Sequence, residues 1–142
     1  AFTSIWDNWP KSITVPVMKT GSSLWLLIAG STNHMQTGIA NGVVRLRYED
    51  GSIDELPLVH PVNLWTLDDG VGESDATRAR RYDYRWDGFA LPRKPPATLQ
   101  LGNHCRAMVI GRKLEPGRKL ESVTLETLSP EVIIGLMGVS LV

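Results

Sequence analysis

Cysteine is almost absent from this chain of 142 residues, because Cys105 is the only one. A single cysteine excludes a disulfide framework and a zinc site built from cysteines. An excess of charge is lacking too, since fifteen basic and fifteen acidic residues cancel. Without a basic stripe, we expect neither nucleic acid nor a membrane as a partner. The sequence also contains no apolar run close to the roughly 20 residues that span a bilayer.

Sequence signatures of catalysis are lacking as well. There is no Gly-x-Ser-x-Gly elbow and no glycine-rich phosphate loop. The three histidines lie far apart, so only tertiary proximity would bring His34, His60 and His104 to one zinc ion. His104 and Cys105 are neighbours on an expected strand and point to opposite faces, so we interpret Cys105 as a buried small hydrophobe. Fifteen carboxylates make some pair inevitable and do not indicate a glycosidase. We therefore expect no enzymatic activity of the domain itself.

What the sequence does contain is a series of short β-strand patterns, organised around residues 24–58. Residues 24–28 are apolar throughout. This run predicts a central strand covered on both faces, with Trp25 in the core. Asn41-Gly42 is a turn signal that follows the polar corner at residues 31–38.

The best hairpin signal consists of residues 43–48 and 53–58, separated by Asp50-Gly51. Alternation in the first of these segments predicts one core face and one solvated face, as in an antiparallel sheet. The core face holds Val44, Leu46 and Tyr48, and the solvated face holds Arg45 and Arg47.

The register of this hairpin has two solutions in the sequence. A strict two-residue turn places Arg47 opposite Asp54, which makes a favourable charge pair. A bulge at Gly51 instead pairs Leu46 with Leu56. The sequence leaves the register open.

The remaining strand patterns decide the fold class. Pro16 cannot donate to a ladder, so residues 12–17 are predicted to form an edge strand. Residues 131–142 are almost wholly apolar, which predicts a buried final strand. Eight to ten short strands without a helix predict an all-β, antiparallel β-sandwich that is jelly-roll-like, with a barrel as the alternative. We expect one domain over residues 1–142, cut from a longer multidomain protein because it lacks an initiator Met and a leader.

Three segments carry a resemblance to a known family. They are residues 26–36 with 41–42 and 48–51, residues 61–65, and residues 120–125 with 131–138. Together they resemble the β-sandwich accessory domain at the C-terminus of large glycosidase-like proteins from polysaccharide-degrading bacteria. The resemblance implies a carbohydrate context, a secreted, periplasmic or cell-surface location, and a catalytic domain of the parent chain as a partner.

Carbohydrate recognition uses flat aromatic faces for the apolar side of a sugar ring and planar polar groups for its hydroxyls. Four tryptophans lie in arm or loop sequence with polar neighbours such as Asn63. They are Trp6, Trp9, Trp65 and Trp86. We predict that these rings stack on a polysaccharide or oligosaccharide. The alternative is that they pack onto the sandwich or onto a partner domain.

Two further segments supply candidate ligand-binding residues. The polar corner contributes Asn33, His34 and Gln36, which either bind sugar hydroxyls or cap their own backbone. Residues 82–87 alternate aromatic and charged side chains, with Tyr82 and Tyr84 beside Trp86 on one face if the segment is extended. That segment is either a sugar platform or a half-buried edge strand.

One acidic segment contains candidate metal ligands. Asp68, Asp69 and Asp75 could supply oxygen ligands to a structural Ca²⁺ ion. Their spacing does not match the helical calcium loop, and a solvated acidic loop is the alternative. We expect no cofactor. The sequence thus predicts a non-catalytic carbohydrate-binding module-like domain, with a structural accessory domain that packs against a glycoside-hydrolase-like catalytic domain as the alternative.

Overall fold

The computed structural model describes most of the predicted strands. The described residues are 10–31, 38–60, 62–65, 67, 97–102, 105–129 and 132–142. Within them the chain forms eight strands: β1 (Ser12–Thr20), β2 (Ser23–Ser31), β3 (Ala40–Tyr48), β4 (Ile53–Val59), β5 (Thr98–Gln100), β6 (Arg106–Lys113), β7 (Lys119–Thr127) and β8 (Ile133–Leu141).

The strands form two antiparallel sheets of four. The first sheet has the order β1-β7-β3-β4, and the second has the order β5-β6-β2-β8. The predicted all-β antiparallel sandwich is confirmed. The jelly-roll style is not confirmed, since β2 pairs with β6 and β8 while β1 pairs with β7.

The core lies between the sheets and follows from strand alternation. In β3 every second residue is inward, and Val44, Leu46 and Tyr48 are buried as predicted. Leu24, Leu26 and Ile28 face them from β2 and are also buried. Fully burying one such side chain contributes roughly 1.5–3 kcal/mol, so these two central strands hold the sheets together.

The Asp50-Gly51 turn is confirmed, and its register is neither of the two that the sequence offered. Gly51 N–H bonds the Tyr48 carbonyl at 2.9 Å, and Tyr48 N–H bonds the Ser52 carbonyl at 3.0 Å. Gly51 has a φ of 84°. This is a three-residue loop made of a type I turn and a glycine bulge. It places Leu46 opposite Asp54.

Two strand predictions are confirmed and one turn prediction is wrong. Pro16 lies in β1, at an edge of the first sheet, and β2 is central in the second sheet, although it is not covered on both faces as predicted. Asn41-Gly42 does not form a turn, because both residues lie inside β3 and are buried. An ideal Cβ on Gly42 would lie 2.5 Å from Cδ1 of Ile134 in the opposite sheet. Gly42 therefore allows close packing between the sheets.

Two burial predictions for the second sheet are also wrong. Trp25 is 46 % exposed and not part of the core, because it alternates with Leu24 and Leu26 and lies on the outer face. The final strand β8 is an edge strand in which Ile134 is the one fully buried residue, and Met137 is 54 % exposed. An apolar run therefore predicts that a segment is a strand, but it does not show whether both faces of that strand are buried.

Candidate functional site

The outer face of the first sheet is covered by paired charges. Arg45 Nε donates to Glu55 Oε1 at 2.7 Å, and its Nη1 donates to Glu126. These two carboxylates raise the pKa of Arg45 above its ordinary value through hydrogen bonds. Arg47 Nε donates to Glu121 Oε2 at 3.1 Å. The charged groups satisfy one another, and this face offers little to a ligand.

The outer face of the second sheet has a different character. We call it the apolar face, and its described members, by strand alternation and pairing, are Ser23, Trp25, Leu27, Ala29, Leu99, Ala107, Val109, Gly111, Lys113, Ile133, Gly135, Gly138 and Ser140. Ala107 is fully buried within it. Among these residues none is acidic, and the only charge is that of Lys113. Large side chains stand beside glycines, so the surface is shallow.

The indole of Trp25 lies flat across this face. Trp25 pairs with Gly111 of β6. An ideal Cβ on Gly111 would lie 2.7 Å from Cζ3 of the indole, 2.9 Å from Cη2 and 3.0 Å from Cε3. Three consecutive ring atoms at nearly equal distances place that point over the face of the ring and not at its edge. One face of the indole therefore covers the β6 backbone, and the opposite face points away from the sheet.

Polar groups flank the indole on both neighbouring strands. Ser140 of β8 lies directly opposite Trp25, and Ser23 lies opposite Lys113 of β6. Directly opposite residues in an antiparallel pair have their Cβ atoms about 5 Å apart. Ser140 is at this spacing from Trp25, whereas Lys113 lies on the diagonal, two residues beyond Gly111, at about 7–8 Å. An aromatic plane with a hydroxyl and an ammonium group near it combines the two elements that sugar recognition uses.

Two of the predicted site residues lie within the described part of the chain, and they are close together. Asn63 Oδ1 accepts from Val59 N–H at 2.8 Å, and its Nδ2 donates to the Pro57 carbonyl at 2.9 Å. Trp65 is half-buried against the core, 5.2 Å from the ring of His60. The Asn63 amide is thus engaged with the backbone of β4, so its oxygen and its nitrogen each already have a hydrogen-bond partner.

The other predicted site residues lie outside the described residues, and they stay predictions. They are Trp6, Trp9, Asn33, His34, Gln36, Tyr82, Tyr84 and Trp86, together with the weak calcium candidates Asp68, Asp69 and Asp75. Sequence reasoning missed Trp25, because an apolar run does not show which strand face is open. Gly111, which lies beneath the Trp25 ring, is 86 residues further along the chain, and only strand pairing brings the two residues together.

A concave surface lies at the β3–β4 hairpin. It is a cleft of about 340 Å³ lined by Tyr48, Glu49, Asp50, Gly117, Arg118 and Lys119. The Arg118 guanidinium lies 3.7 Å from the centroid of the Tyr48 ring and covers it. Lys119 Nζ donates to Glu49 at 2.9 Å. The ring and the charges are already engaged with one another, which favours a structural role for this cleft.

Three further features concern metal binding, membrane spanning and the exposure of the single cysteine. In the part of the chain that the structure describes, no three His, Cys, Asp or Glu side chains are grouped to hold a metal ion. None of the described segments is a helix with the length and apolar character needed to cross a membrane. Cys105 is partly exposed, so its interpretation as a buried hydrophobe is wrong.

Comparisons with protein-family models, with curated proteins and with solved structures found no match for this chain. The resemblance to accessory domains of glycosidase-like proteins therefore stays a prediction from the sequence. Within the described residues, the feature that best fits a ligand is the Trp25 indole on the apolar face.

Proposed function

We propose that this chain is a non-catalytic carbohydrate-binding domain that stacks a sugar ring on Trp25. The observation that carries the proposal is the half-exposed indole lying flat over Gly111. The C–H-rich side of a sugar ring needs a flat aromatic surface of this kind. The loop aromatics predicted from the sequence would add contacts but are not required.

The physical argument rests on pre-organisation. The ring is held by the β6 backbone beneath it, so a ligand does not have to order it. The outward face of the indole is apolar and exposed, so a sugar that covers it removes apolar surface from water. Ser140 and Lys113 then offer donors to hydroxyl groups beside the ring.

The test is a titration of the domain against plant, algal and microbial polysaccharides by affinity electrophoresis, followed by calorimetry on any that bind. We expect Trp25→Ala to weaken binding about 30-fold or more, since truncating a central aromatic anchor costs about 2 kcal/mol. Gly111→Ala should also weaken binding, because its Cβ displaces the ring without removing it.

The matched control is Ile53→Ala. Ile53 is 52 % exposed and lies on β4 of the first sheet, so its truncation tests non-specific loss of apolar surface. Binding by the Trp25→Ala protein at the parent's strength would refute the Trp25 site. Trp65→Ala and Trp86→Ala test the loop aromatics separately. If no glycan retards the parent domain, carbohydrate binding itself is refuted.

A second candidate function is a structural accessory domain that packs against a catalytic domain of the parent chain. It is favoured by large aliphatic side chains that the second sheet leaves exposed, namely Leu99, Ile133 and Met137. Such side chains do not hydrogen-bond sugars, but they fit the core of a protein interface. Sedimentation of the two domains together would show a complex that Met137→Lys weakens and Ile53→Lys does not.

A further inference from the structure

Among the described strands, four lie at sheet edges, and they differ in how well they are protected against pairing with another strand. Edge strands usually carry proline, charge or a bulge, or are short, because an open edge pairs with other strands. β1 contains Pro16 and a bulge at which Met18 has a φ of 55°. β4 contains Pro57 and two acids, and β5 is only three residues long. β8 has nine residues with neither proline nor an ionisable side chain, and a bulge is its only interruption.

The backbone at the C-terminal end of β8 presents hydrogen-bonding groups to its open side. Val142 exchanges both of its backbone bonds with Ser23, at 2.9 and 3.1 Å. In an antiparallel ladder the bonded pairs alternate. Val139 and Leu141 therefore direct their N–H and C=O groups away from β2. The described residues supply no strand on that side of them.

We propose that this edge pairs with β8 of a second copy of the chain, antiparallel about a two-fold axis that passes beside Ser140. Val139 of each copy then bonds to Leu141 of the other, which satisfies the four outward N–H and C=O groups of Val139 and Leu141 in each copy. Ser140 lies opposite its own counterpart as a non-hydrogen-bonded pair. An identical partner suits this edge because residues 132–142 carry no charged side chain to repel its counterpart.

The pairing also extends both faces of the second sheet, the inner core face and the outer apolar face, from one copy into the other. Val139 and Leu141 are inward residues that pack only partly against the core, and each gains a cross-strand neighbour. A two-fold axis perpendicular to the sheet keeps both outer faces on the same side. The two Trp25 rings then lie on one surface, with their β2 strands about 14 Å apart at three strand spacings. The contact is small, so we expect a weak, concentration-dependent dimer.

Charge substitution at the axis tests the proposal. The parent is expected to show a rising apparent mass with concentration in sedimentation velocity. Ser140→Lys and Ser140→Glu should each stay monomeric, because like charges directly opposite each other repel. An equimolar mixture of the two should associate again, and more tightly than the parent. Ser140 is exposed, so both variants are expected to fold, which thermal unfolding checks.

A disulfide measures the geometry directly. In a Cys105→Ser background, Ser140→Cys should give a covalent dimer under mild oxidation. The Cα atoms of a non-hydrogen-bonded pair are about 4.5 Å apart, within the disulfide range of about 4.4–6.8 Å. Ile53→Cys in the same background is the control and should stay monomeric. A monomeric parent at all concentrations, or a Lys and Glu mixture that does not associate, overturns the proposal, whatever the outcome of the glycan titration.

Discussion

Replacing Gly42 by alanine should destabilise the domain more than the same change at two other strand glycines. The Cβ of Gly42→Ala would lie 2.5 Å from Cδ1 of Ile134 and 2.9 Å from the backbone oxygen of Glu126. The isoleucine methyl can turn away, but the Glu126 carbonyl belongs to β7, which pairs with β3. Relief therefore requires movement of a central strand. Overpacking of this kind costs about 1–3 kcal/mol.

Two matched substitutions isolate the effect of the inserted methyl group. At Gly111 the nearest atoms belong to the Trp25 ring, which is on the surface and can swing outward. We expect Gly111→Ala to change the free energy of unfolding by less than about 1 kcal/mol. At Gly135 the nearest atom is the Ala29 carbonyl oxygen at 3.7 Å, an ordinary contact. Gly135→Ala should stabilise by about 0.4–1 kcal/mol, because it restricts the unfolded chain.

Urea denaturation of the parent and the three variants measures these differences in the free energy of unfolding. An unchanged slope m shows that each variant exposes the same surface on unfolding as the parent. The expected order of stability is Gly135→Ala above the parent, then Gly111→Ala, then Gly42→Ala. A Gly42→Ala protein as stable as the parent would refute the tight packing between β3 and β8. Equal losses at Gly42 and Gly135 would show that glycine flexibility, and not space, governs these positions.

Two predictions concern the dependence of stability on pH. Burial, followed by the hydrogen bond that Tyr48 donates to Asp54 at 3.1 Å, raises the Tyr48 pKa above its ordinary 10.0. The fold thus favours the protonated phenol, so thermal stability should fall as the pH rises above about 10, and Tyr48→Phe should show a flatter profile. The Ser52 hydroxyl and N–H hold the Asp50 pKa below its ordinary 3.8. The stability this contributes is present at neutral pH and lost as the pH falls through the lowered pKa, so acid titration of Asp50→Asn should show a smaller loss than the parent. Identical profiles for parent and variant would contradict either assignment.

The fold was predictable where local pattern decides it. Alternation in residues 43–48 identified the buried and exposed residues of β3, and Asp50-Gly51 located the hairpin. Proline identified β1 as an edge strand. Each of these inferences uses side chains within a few positions of one another, and a strand's period of two residues is visible at that range.

The candidate site was not predictable, because it depends on pairing between distant segments. Trp25 is exposed since the described residues place no further layer over its side of β2, and its ring lies flat since β6 places Gly111 beneath it. Neither the open face nor the glycine beneath the ring can be inferred from the residues that neighbour Trp25 in the sequence. The same limitation applies to Asn41-Gly42, which has the sequence of a turn. Gly42 is instead required because β3 passes close to Ile134, a residue distant in the sequence.

The contrast between the two outer faces explains why both proposals concern the second sheet. Covering Arg45 and its two carboxylates would remove charges from water, at a cost of several kcal/mol per ion unless a partner replaced every hydrogen bond. Covering Trp25 and Leu27 removes apolar surface from water and is favourable. The first sheet's edges carry proline and charge, whereas β8 carries neither. The free-energy cost of covering the surface is therefore lowest at the apolar face, where we propose that a sugar binds, and along the open edge of β8, where we propose that a second copy pairs.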